Sequence, residues 1–158
     1  MEEKAYKDTY HSINERRCVF EKTINSRRCT CKQSQRFHLA DREGIACKSV
    51  TGNALCIEFL NSMRSNARFA LHLTSADGPL PHAKEIKVQT GGLLGLQGLI
   101  RPDRAADANI ENAIGLIDAA IEKYGRIEDL PYDIIVQAIV KFEGRKKRPR
   151  NNDPWGKT

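Results

Sequence analysis

The residues in this chain best suited to chemistry are its five cysteines, Cys18, Cys29, Cys31, Cys47 and Cys56, spaced C-x10-C-x-C-x15-C-x8-C with none after position 56. Thiolates are soft ligands, and several converging on one point bind zinc or an iron–sulfur cluster. Structural zinc usually takes paired C-x2–4-C knuckles. Here a lone Cys29-Thr30-Cys31 step has no second knuckle to answer it, although His38 is an additional candidate ligand. An iron–sulfur cluster is wider and accepts ligands from several loops and helix ends, which suits irregular spacing better. Neither the C-x2-C-x2-C-x3-C nor the C-x4-C-x2-C ferredoxin spacing is present. Disulfides are disfavoured by the odd count and by the polar first 30 residues, which hold no apolar stretch of a secretory signal. The plainest alternative is that cysteine serves as a small core residue. Cys56 fits that alternative, since it shares an apolar stripe with Phe59, Leu60 and Met63.

Four of the five would suffice for either metal centre. The first choice is Cys18, Cys29, Cys31 and Cys47, with Cys56 either in the core or substituting for one of them; the competing choice drops Cys18 and keeps Cys56. Two of these thiols directly follow arginine pairs, Arg16-Arg17 and Arg27-Arg28. Positive charge there is expected to lower the thiol pKa and favour the ligand form.

Four principal helices are expected to position these residues. A first helix is read from Ser12 to Ser26, with Glu15 at capping-box spacing and Ile13, Phe20 and Ile24 near one stripe. Residues 27–52 read as an irregular loop with one short helix, Ser34 to Glu43. A second helix, Asn53 to Leu73, rests on apolar steps of three and four from Cys56 to Leu71. Residues 82–100 are ambiguous. Lys84 to Gln89 alternates like a strand, Pro81 is suited to open a helix, and Gly91, Gly92, Gly95 and Gly98 imply an irregular, closely packed segment. A third helix from about Asp103 carries Ile110, Ile114, Ile117 and Ile121 and closes at Gly125; a fourth opens at Pro131 and closes at Gly144. The fold class is therefore mainly α, with one or two short strands at most: a small helical domain over 12–144 whose loops bear the cysteines. Residues 1–11 are expected to be flexible, and 145–158 a mobile basic tail.

Charge is uneven. Residues 1–74 carry 13 basic and 8 acidic side chains, residues 75–144 carry 7 and 11, and residues 145–158 carry 6 and 1. The basic ends suggest an anionic partner, with nucleic acid as one candidate through Arg145-Lys146-Lys147-Arg148-Pro149-Arg150 and Trp155 as an added contact. No apolar run reaches the roughly 18 residues of a membrane span, and a cytoplasmic setting is expected. Gly156-Lys157-Thr158 is not a P-loop, because position 151 is Asn rather than Gly. His11, His38, His72 and His82 fall into no hydrolytic metal motif, and no catalytic constellation stands out.

The resulting expectation is a small iron–sulfur protein, leaning away from an enzyme, that acts in electron transfer, cluster delivery or redox sensing beside a redox partner or a larger complex. The alternatives are a nucleic-acid-binding module built on structural zinc and a non-catalytic accessory subunit.

Overall fold

The computed structural model describes residues 3–73, 80–105 and 107–144. The expected basic tail lies outside them. The chain runs α1 (Glu3–Ile13), α2 (Glu21–Asn25), β1 (Ser34–Leu39), β2 (Arg42–Cys47), α3 (Val50–Ala67), α4 (His82–Ile100), α5 (Ala113–Tyr124) and α6 (Tyr132–Lys141). Single 3-10 turns at Pro102–Arg104 and Ile127–Asp129 precede α5 and α6. The protein is thus mainly α with one antiparallel hairpin. Among the described residues, no helix is long and apolar enough to cross a membrane.

The helical half forms because apolar stripes on α3 to α6 share one core. Phe59, Met63, Leu96, Leu116, Ile117 and Ile135 are completely buried there. Residues 82–100 are a regular helix, neither strand nor irregular. Its glycines explain how it packs. A Cβ on Gly91 would stand 2.8 Å from the Ile139 Cα, and one on Gly95 would stand 2.7 Å from the Ala138 Cβ, so α4 and α6 meet almost backbone to backbone. That close packing offsets the roughly 1 kcal/mol that each glycine costs a helix. Gly125, with φ of 108°, ends α5 as its C-cap.

The first third departs from its sequence reading. Residues expected to be frayed form α1, which buries Tyr10 against Glu21 and stacks it near Phe37, with ring centroids 5.7 Å apart. No helix spans Ser12 to Ser26. The chain instead turns extended and pairs with the outer edge of β2: Cys18 N–H donates to Ile45 O (3.0 Å), and Cys47 N–H donates to Arg16 O (2.8 Å). These sheet bonds replace helical ones. Ile13, placed on the core stripe by its spacing, is 56% exposed, whereas Phe20 and Ile24 are buried. The short helix expected over Ser34–Glu43 is the β1–β2 hairpin, paired from Ser34↔Cys47 to Leu39↔Arg42. Its tight turn takes Ala40 into the left-handed region (φ 55°). Helix α3 begins three residues before its expected start, because the Ser49 hydroxyl caps it by accepting from Gly52 N–H (2.9 Å).

Candidate metal centre

Each cysteine is delivered by a different local device. Cys18 lies in the extended segment before α2, fixed by its bond to Ile45 and by Glu21 N–H donating to its carbonyl (3.2 Å). Cys47 ends β2; its carbonyl accepts from an Arg16 Nη (3.2 Å), and its thiol donates to Ser49 O (3.3 Å). Cys56 stands two turns into α3. Cys31 is held from the far end of the sequence. Thr30 N–H donates to Ile110 O (3.0 Å), Ala113 N–H to Thr30 O (2.8 Å), and Lys32 N–H to Asn112 Oδ1 (2.9 Å). Asn112 takes a left-handed conformation (φ 52°) at the mouth of α5 to make this join.

These four thiols line one small cavity where the hairpin meets α3 and α5, about 370 Å³ counting the part open to solvent but with free room of only about 20 Å³. The remaining wall is largely apolar, with Val19, Phe20, Ile24 and Ile114; Gln33 and Asn53 supply amides. All four are partly buried and free of disulfides. Electrostatics also places them together. Burial pushes the Cys18 thiol up to about 12, with Cys31 and Cys47 adding to the rise. Burial likewise raises Cys56, which senses Cys18, Cys31 and Cys47 as negative neighbours. Negative charge in this cavity would face the first turn of α3, whose residues Gly52 and Asn53 form part of the wall. A helix N-terminus favours such charge by about 0.3–1 kcal/mol.

Cys29 lies beside the cavity rather than on its wall: it is 4% exposed, pairs its backbone with Ile110 and joins the hydrophobic core, and its thiol still senses Cys18 and Cys31 as negative neighbours. The cavity gathers the preferred set with Cys56 substituting for Cys29, not the competing set without Cys18. The arginine expectation fails. Burial raises the Cys29 thiol, and no arginine counters that rise or the one at Cys18. Arg17 pairs with Glu21 (3.6 Å), Arg27 with Glu43 (3.3 Å), and Arg28 lies over the Phe142 ring. His38 is exposed on β1, opposite Glu43 and outside the cavity wall.

Among the described residues, no group of three or more His, Cys, Asp or Glu side chains is set to hold a metal ion.

Buried polar clusters are not legible in the sequence. Tyr10 donates to Glu21, which also accepts from Ile45 N–H (3.1 Å), while Asn14 donates to Ile45 O (3.0 Å). Arg64 on α3 grips Glu85 on α4 through two nitrogens, one at 3.2 Å. Partners so far apart along the chain leave no periodic mark. No protein-family model matches the chain, and no curated protein or solved structure is significantly similar to it.

Proposed function

We propose that this chain is a small iron–sulfur protein that holds its centre on Cys18, Cys31, Cys47 and Cys56 and works in electron transfer, cluster delivery or redox sensing. The observation that carries this reading is the convergence of four free thiols, from four separate elements, on one cavity with largely apolar walls. Thiolate sulfur is the donor that such clusters take, and four of them hold one cluster. The raised thiols fit a site completed by its metal, because a bound cation reverses the local preference and deprotonates a coordinating thiol. The Ser49-capped end of α3 supports the negative charge that four thiolates bring. Free thiols also suit a reducing compartment such as the cytoplasm.

The centre would supply one-electron chemistry. The chain's part is to fix four sulfurs, exclude bulk water with Phe20, Ile24 and Ile114, and brace the loop at Cys31 against α5. The test is oxygen-free purification followed by assay of iron, acid-labile sulfide and zinc. About four irons and four sulfides per chain are expected, as for a Cys₄-held cluster of that size. Zinc without iron, or no metal at all, would overturn the reading.

A further inference from the structure

A second opening shares a wall with the cysteine cavity, through Val19. This groove holds about 610 Å³ between its walls, counting the part open to solvent. Its apolar side is Val19, Ile57 and Leu60, and its polar side is Arg17, Lys22, Asn61 and Gln89. At its base sits the Arg64–Glu85 pair, whose side chains are only 9% and 3% exposed.

A buried ion pair is a poor stabilising device, because desolvating both partners can cancel their attraction. Placed at the floor of an open groove, it has another use. The guanidinium has five N–H donors. Glu85 takes two through Nε and one Nη, and Asn61 Oδ1 takes a third at 3.3 Å. Two donors are left over, in an orientation fixed by Glu85. Lys22 at the rim has one contact, His82 Nδ1 at 3.1 Å, and Arg17 is half exposed beside Glu21. Three cations and one carboxylate line the groove, so its excess charge is positive.

We infer that this groove binds a small molecule carrying an oxyanion, carboxylate or phosphate, on an apolar body. The oxyanion is held by Lys22, Arg17 and the spare Arg64 donors, and the apolar body rests on Val19, Ile57 and Leu60. Such a ligand would lie one side chain from the cysteine cavity. The inference goes beyond the proposed cluster, since none of these contacts needs a metal.

The test is titration of the full chain, followed by amide chemical shifts, with benzoate, phenyl phosphate, inorganic phosphate and neutral benzyl alcohol as probes. Benzoate or phenyl phosphate should saturate with shifts centred on Val19, Lys22, Ile57 and Gln89, and comparison of the two separates carboxylate from phosphate. Benzyl alcohol and inorganic phosphate should each bind about tenfold more weakly, as loss of one charge-assisted contact or of the apolar body implies. Lys22→Ala and Arg17→Ala alter exposed or half-exposed side chains and should each weaken benzoate or phenyl phosphate by a similar factor. Equal binding of benzyl alcohol, shifts centred elsewhere, or no saturable response would overturn the inference. Metal content measured on the same sample reports separately on the cluster reading.

Discussion

The helical half and the cysteine-bearing third are held together by different physics. Between α4 and α6 the contact is apolar and close, with Gly91 and Gly95 admitting Ile139 and Ala138 up against the α4 backbone. The cysteine-bearing third has few large apolar side chains at its centre, chiefly Phe20, Ile24 and Ile45. It relies on single backbone bonds between distant segments, such as Thr30 to Ile110 and Cys47 to Arg16, and on the Tyr10–Glu21–Asn14 cluster. The first arrangement is self-sufficient. The second is a frame around a cavity, and a centre that cross-links its four corners would add what packing does not.

Removing the proposed centre should separate the two halves most clearly. Where a site forms only in the fold, its binding energy is folding energy. Chelated, reduced protein should lose amide protection at Thr30, Lys32, Cys18 and Cys47 by about 100-fold or more, while α4 and α6 change by less than about tenfold. Equal loss in both halves, read by hydrogen exchange, would show that they are one cooperative unit.

Truncating the tight interface should come next. Ile139→Ala empties a fully buried site against α4 and should cost about 2–5 kcal/mol in denaturant unfolding, with or without metal. A loss that appears only in metal-free protein would erase the distinction drawn between the halves.

Glu21→Ala leaves the Tyr10 hydroxyl and the Ile45 N–H without their acceptor. The expected cost is about 1–3 kcal/mol, with the largest changes in protection around Ile45. If the loss were spread evenly over α3 to α6, the cluster would not be the local brace described.

The smallest effect is alkaline. Burial, then Glu21, holds the Tyr10 hydroxyl well above its ordinary value. The unfolded chain ionises this tyrosine near 10 and the folded chain does not, so its contribution is present below about pH 10 and declines as pH rises further. Tyr10→Phe should flatten the fall in the denaturant midpoint between about pH 9 and about pH 11. An unchanged slope would place the alkaline sensitivity elsewhere.

Much of the helical half was legible because its signals are periodic. The stripe through Phe59, Leu60 and Met63, that of Ile114, Ile117 and Ile121, and the stop at Gly125 translate from spacing into structure, but α5 begins at Ala113 rather than near Asp103, and Ile110 lies before it, paired with Cys29. The glycines of α4 pointed to close packing, but without the facing Ile139 and Ala138 they could not show that a regular helix survives them. The cysteine-bearing third was misread because its order comes from partners far apart in sequence. Extended residues 16–18 are extended only because β2 lies beside them, and β1 needs its pairing with β2 to outweigh a helix over the same residues. The same blindness affected the thiols. Spacing drew attention to all five, yet Cys29 faces the core through its pairing with Ile110, while Cys56 turns from an apolar helix stripe toward the cavity. The arginine pairs looked like activating charges, but Glu21, Glu43 and Phe142 engage Arg17, Arg27 and Arg28 instead.

The central claim is most directly tested by iron content in two variants, Cys29→Ser and Cys56→Ser, prepared together without oxygen and measured beside the unaltered chain. Serine in place of Cys29 should leave iron per chain unchanged, because that thiol lies in the core, whereas serine in place of Cys56 should remove most of it. Retention by Cys56→Ser together with loss by Cys29→Ser would contradict the account.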